Sequence, residues 1–267
     1  MAHQKLLSGA PVSLFRKRLG DSGPPLIILH GMFGMSDNWQ TLGRRLSDYY
    51  RVFLVDARNH GRSPHTSEMN YDLMAEDVGL LMEEEGLERA TLMGHSMGGK
   101  TAMAFAAKYP ERMDKIVVVD IAPRAYPPGH LSILEAFTRV DLAVPTRQEI
   151  EAQLMTMVPS RTIALFLMKN LKRSKDGGFE WKLNLQAFKL HYPRLIAAVD
   201  PGGPHGIPAL LVKGGKSAYV SDRDFELFKQ HFPRAVLEVI PGAGHWVHAE
   251  QPEIFYNAVF EFLEEAD

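Results

Sequence analysis

The chain has 267 residues, 45% of them hydrophobic and 23% charged, with a net charge of -2 and a pI near 6.6. That length and apolar share suit one large globular domain, or a domain with an inserted lid, and exclude a disordered or fibrous chain. Near-neutral charge supplies no long-range attraction to nucleic acid or an anionic membrane, and the absence of cysteine removes disulfides, thiolate metal sites and a cysteine nucleophile.

In chain order, the N-terminal stretch MAHQKLLSGAPVSLFRKRL lacks the apolar core of a secretory signal, and no apolar run reaches the roughly 18 residues needed to span a membrane. A soluble cytoplasmic protein, a monomer or small homo-oligomer with a small-molecule partner, is expected. Strand-like runs begin at Val12, Leu26, Arg51, Ala90, Lys115, Ala209 and Ala235. Helical segments lie between them: one from Met74 stopped by Gly86, one from Lys100 stopped by Pro110, and a closing one from Pro252 with Ile254, Phe255, Ala258, Val259 and Phe262 on one face. Alternation of this kind predicts an α/β fold with a mostly parallel twisted sheet flanked by helices.

The alternation breaks between Pro123 and Pro208. Helical patterns start at Leu131, Arg147, Ser160 and Gln186, with one short extended piece in GGFEWKLNL and a return linker at PGGPHG. The expected organisation is a core of residues 1–122 and 207–267 carrying a helical cap insertion, 123–206.

GHSMGGKT, Gly94 to Thr101, satisfies two catalytic patterns at once. As GxSxG it is a nucleophile elbow presenting Ser96; as GxxxxGK[ST] it is a phosphate loop with Lys100 as the clamp, and Asp120 at the end of IVVVD could then hold magnesium. Both patterns require a strand before and a helix after, and both find them here.

Residues elsewhere separate the two. An acyl-transfer site needs a second oxyanion donor, an acid and a late histidine, each at a strand end on one edge of the sheet. HGMFG from His30 supplies a glycine turn able to aim the Met32 N–H, or failing it that of Phe33, at an oxyanion shared with the Met97 N–H. PGAGHWVH places His245 beyond the last strand, where a phosphate-loop protein has no use for it; His248 reads as structural. No carboxylate or histidine at ligand spacing makes a metal site of this pair, so neither metal nor cofactor is expected.

HGMFG, DARNHGRS from Asp56, GHSMGG and GAGHWVH, in this order across nearly the whole chain, resemble the α/β-hydrolase superfamily. RNHGRS, GHSMGGKTAM, VVVDIAP and GGKSAYVS are similar, more narrowly, to small bacterial esterases of the YbfF type. The commonest acid of the superfamily lies after the penultimate strand, where this chain has GGKS with Ser217. Asp222 and Asp224 follow, inside what reads as the next helix. Asp120 is the better acid, because it ends the strand directly after the one carrying Ser96 and neighbouring strands lie about 4.8 Å apart. The resemblance implies the same assignment, with Ser217 in a hydrogen-bond network beside the histidine.

The expected reaction is hydrolysis of short to medium carboxylic esters, with thioesters as a variant, through a Ser96 acyl-enzyme, with His245 as base and Asp120 as its partner. Phe33, Trp246 and Ser217 are expected at the substrate. In the cap, Phe137, Met155, Met157, Phe166, Met168, Trp181, Phe188 and Tyr192 could line an acyl pocket or form the cap's own core. Lys100 and Thr101 are expected in a structural role on the first turns of the following helix, with Lys100 pairing with a nearby acid or staying in solvent. The rival readings are a nucleotide-dependent phosphoryl-transfer protein, a non-catalytic hydrolase-fold binding protein, and a C–C bond hydrolase or lyase on the same triad.

Overall fold

A computed structural model describes residues 9–265; the N-terminal reading above therefore falls partly outside the described residues, as does the last residue of the expected closing helix. Among the described residues nine strands and ten α-helices follow one another. Strands β1 (Arg16–Leu19), β2 (Pro25–Leu29), β3 (Arg51–Val55), β4 (Ala90–His95) and β5 (Met113–Val119) come before the long interruption, and β8 (Ala209–Gly214) and β9 (Ala235–Ile240) after it. These seven form one sheet in the order β1-β3-β2-β4-β5-β8-β9. Only β1 runs antiparallel; every other neighbouring pair is parallel.

The central strands are buried on both faces, and their alternation divides the core in two. Ile27, Leu29, Leu92 and Val118 face one apolar layer, and Leu26, Ile28, Met93 and Val117 the other. Against the first layer lie α2 (Tyr71–Glu84), α3 (Met97–Lys108) and α8 (Asp222–His231). Helices α1 (Gln40–Leu46) and α10 (Pro252–Glu264) cover the second, and a single turn, α9 (Val247–Glu250), precedes α10.

All seven expected core strands are present; β2 and β5 begin one and two residues earlier than expected, and β1 begins four residues later. Residues 12–15 are not strand. Val12 and Leu14 are buried, but the Val12 N–H donates to the Asp77 carboxylate and the Phe15 N–H to Ser63 Oγ, so side chains take the place of a neighbouring strand. Helix α2 starts at Tyr71, ahead of the expected Met74, because the Asn70 side chain accepts from the Leu73 N–H and caps it.

Between β5 and β8 stand α4 (Leu131–Arg139), α5 (Arg147–Met155), α6 (Arg161–Met168) and α7 (Leu185–Ile196). The extended piece in GGFEWKLNL is β7 (Phe179–Trp181), which pairs antiparallel with β6 (Leu171–Arg173) as a two-stranded ribbon. Trp181 Nε1 donates to the Phe137 carbonyl, tying this ribbon to α4.

Strand order reverses between β2 and β4, since the chain leaves β2 toward β3 on one side and later continues from β4 to β5 on the other. Such a switch point opens a crevice at the carboxyl ends of the strands. The residues that follow β2, β4, β5, β8 and β9 all reach this edge.

Candidate active site

Ser96 sits between the end of β4 and the first turn of α3 with φ 51° and ψ −115°, a conformation L-residues rarely adopt. Glycines make the bend sterically possible. A Cβ on Gly94 would lie 2.2 Å from the Gly98 carbonyl oxygen, and one on Gly98 would lie 2.3 Å from that of Leu29. The strand, the elbow and the helix therefore cross at backbone contact, and the Ser96 N–H is held by the Val119 carbonyl at 3.0 Å.

Asp120 leaves β5 with φ 51° and is completely buried. Its Oδ1 accepts from the Gly214 N–H at 3.0 Å, and its Oδ2 accepts from His245 Nδ1 at 2.8 Å and from the Ser217 hydroxyl. An imidazole donating from Nδ1 keeps Nε2 as its acceptor. The Tyr219 ring stacks on His245, centroids 3.7 Å apart and planes 16° from parallel. Glu250 braces the loop that carries the histidine, accepting from the Gly244 and Trp246 N–H groups.

Neither competing acid approaches His245. Asp224 is the third residue of α8, where it forms a reciprocal capping box with Ser221 and pairs with Arg124 at 2.7 Å; Asp222 is exposed at the start of the same helix. Hydrogen bonds from Ser221 and Arg124 hold the Asp224 carboxyl below its ordinary range despite the opposing effect of burial.

A cavity of about 310 Å³ opens over this edge, and Ser96, His245, Met32, Phe33 and Trp246 all line it. Ser217 does not. It was expected against the substrate, but its hydroxyl is turned onto Asp120, the network position that the resemblance implied. Of the eight apolar residues considered for an acyl pocket, Phe166 alone lines this cavity, joined by Ile133 and Ile163 from the same inserted segment. Phe137, Met168, Trp181, Phe188 and Tyr192 are buried in the segment's core, Met157 packs beside it, and Met155 is exposed.

The HGMFG turn is fixed from several directions. The Gly31 carbonyl accepts from the Gly34 N–H at 2.9 Å and from His30 Nδ1 at 2.8 Å. In a trans peptide this orients the Met32 N–H the opposite way. Phe33 has φ 63°, and its N–H donates to His60 Nε2 at 3.3 Å. The second-choice donor is thus already committed, whereas no acceptor among the described residues takes the Met32 or Met97 N–H. His60 donates from Nδ1 to the Arg58 carbonyl, and burial first, then neighbouring His30, keeps its ring neutral. The RNHGRS motif, recognisable but without an assigned role, therefore supports the turn; Arg58 itself is buried in a 2.6 Å ion pair with Asp77.

His95 is likewise buried and neutral, its Nε2 donating to the His245 carbonyl at 2.8 Å. His248 stacks on Trp39 at 3.9 Å, in keeping with a structural role. His130, from the inserted segment, also lines the cavity, and burial with the nearby His245 pushes it down to about 4.

Lys100 corrects an expectation. It neither faces solvent nor meets an acid: it is 1% exposed, and its ammonium donates to the carbonyls of Arg124 and Ala197, near the start of the inserted segment and just after α7. Tyr126 and Tyr71 present their rings at 5.0 and 5.8 Å. Burial, with Arg124 nearby, pushes its pKa down to about 8. An amine enclosed by carbonyls has no room to clamp a phosphate. Among the described residues no group of three or more potential ligands could hold a metal ion, and no helix is long and apolar enough to cross a membrane.

A family model for the alpha/beta hydrolase fold matches residues 24–252, and the chain belongs to that family. Within it, proteins similar to this chain include esterases and lipases. The chain is 37% identical to esterase YbfF of Escherichia coli, covering 90% of this chain and 92% of the relative, and 38% identical to an sn-1-specific diacylglycerol lipase, ABHD11, of Xenopus tropicalis, covering 91% and 79%. A solved structure described as a marine microorganism esterase superposes with a TM-score of 0.91 at 42% identity, covering 94% of this chain and 99% of that one.

Proposed function

We propose that the protein is a serine hydrolase cleaving carboxylic esters of short to medium acyl chains. The observation that carries this reading is the buried Asp120 carboxylate bonded at 2.8 Å to His245 Nδ1, beside a cavity that the strained Ser96 also lines. His245 Nε2 takes the Ser96 hydroxyl proton as Oγ attacks the acyl carbon, and Asp120 stabilises the imidazolium. The oxyanion is received by the Met97 and Met32 N–H groups, each worth about 3 kcal/mol to the transition state. Collapse expels the alcohol, which takes its proton from His245. The imidazole then activates water to release the acid.

The inserted segment, residues 123–206, acts as a cap that contributes Ile133, Ile163 and Phe166 to the acyl wall. A volume of about 310 Å³ lies at the small end of ligand cavities, which favours modest acyl groups. The names of the esterase and lipase relatives agree with an ester as the substrate. A panel of p-nitrophenyl esters tests the assignment. Activity should peak at short or medium acyl length and be lost on Ser96→Ala; a Ser96→Ala protein that keeps the wild-type rate refutes it.

A further inference from the structure

Besides the rings of His130, Phe137 and Phe188 that pack on Phe33, the inserted segment sends one polar side chain to the backbone of the oxyanion turn. Asn170, between α6 and β6, is completely buried, and its Nδ2 donates to the Phe33 carbonyl at 2.7 Å. The Phe33 N–H is held by His60 from the opposite side, so both polar groups of a residue in the left-handed region are pinned, one by the core and one by the insertion. Phe33 directly follows Met32. A rotation of the Phe33 backbone would break the Gly34-to-Gly31 bond that aims the Met32 N–H.

Packing does not explain the choice of asparagine. Its Oδ1 is buried without a partner among the described residues, which costs stability. An apolar side chain would avoid that cost but could not donate to Phe33. Asn170 is also anchored at its backbone: its N–H donates to the Leu167 carbonyl at 3.0 Å and its carbonyl accepts from the Lys182 N–H at 2.7 Å. The amide is thus presented from a fixed point.

Resting on the serine-hydrolase reading above, we infer that Asn170 is a positioning residue for the oxyanion site, making the geometry of the Met32 donor depend on the seating of the inserted segment. Asn184 provides a matched control. It too ties the insertion to the core, its Nδ2 donating to Asn59 Oδ1 at 3.0 Å and to the Thr66 carbonyl at 2.9 Å, but it does not touch the turn.

The test compares Asn170→Ala, Asn170→Leu and Asn184→Ala by pre-steady-state hydrolysis of a p-nitrophenyl ester, alongside thermal unfolding. Loss of the Phe33 bond should slow acylation and deacylation together, by about tenfold to a hundredfold, with KM little changed, because both steps pass through an oxyanion. Asn184→Ala should lower the unfolding temperature while leaving both steps intact. Asn170→Leu keeps most of the buried volume and carries the same expectation if the alanine variant does not fold. The inference is overturned if activity in all the variants tracks stability alone, if only acylation slows, or if the loss lies in KM. Ser96→Ala, run in parallel, keeps the two claims apart: residual wild-type activity there removes the serine mechanism, whereas unimpaired Asn170 variants beside an inactive Ser96→Ala remove only the positioning role.

Discussion

At the scale of single residues, the candidate site depends on which polar groups are already engaged. Asp120 gives Oδ2 to His245 while Gly214 and Ser217 satisfy the rest of the carboxylate, so Asp120→Asn should reduce kcat/KM by about a thousandfold or more through loss of the correct imidazole tautomer. Asp222→Asn, on an exposed helix start, should leave steady-state kinetics unchanged. His248 makes a second prediction. Burial, with His245 and Lys169 nearby, pushes its pKa down to about 3 against 6.5 when free. Between those values the unfolded chain binds the proton more readily, so His248 removes stability progressively as pH falls below 6.5. His248→Phe, which keeps a ring against Trp39, should flatten that part of the pH–stability curve, as read by denaturant unfolding at several pH values. That Asp120, not Asp224, lies beside His245 was legible because strand adjacency is a backbone property. The roles of His60, Asn170 and Tyr219 were not, since each depends on which side chains the fold brings within 4 Å.

At the scale of elements, hydrophobic runs located the seven core strands because strands buried on both faces read as continuous apolar stretches. The ribbon β6–β7 was only half visible: LKR has two exposed residues of three and no apolar run to mark it. Helix α1, QTLGRRL, is short, with only Gly43 and Leu46 buried, too few positions to establish a helical period. The most instructive element is the start of α3, where pattern alone allowed a phosphate loop. Burial of Lys100 against the Arg124 and Ala197 carbonyls gives the lysine a structural use. Lys100→Ala should therefore lower unfolding stability by about 2 kcal/mol, by leaving those carbonyls unsatisfied. ATP or GTP should produce no shift in the thermal transition of the wild-type chain; a nucleotide-dependent rise abolished by Lys100→Ala would restore the phosphate-loop reading.

At the scale of the whole molecule, five strand ends converge on one sheet edge, and each delivers one part of the candidate site: the HGMFG turn after β2, Ser96 after β4, Asp120 after β5, Ser217 after β8 and His245 after β9. Chain order and parallel topology together make that convergence readable from spaced motifs. The shape of the cavity was less readable, because α4 and α6 each divide their apolar residues between the segment's interior and the cavity wall. Phe137 and Phe166 are alike in sequence, yet Phe137 is buried on Phe33 and Phe166 faces Trp246 across the opening. The central claim is that Ser96, activated by His245, is the nucleophile. Treatment with a fluorophosphonate followed by peptide mass spectrometry tests it most directly: a single adduct on Ser96, lost in His245→Ala, is the predicted result, and an unlabelled Ser96 in a protein that still hydrolyses esters would contradict it.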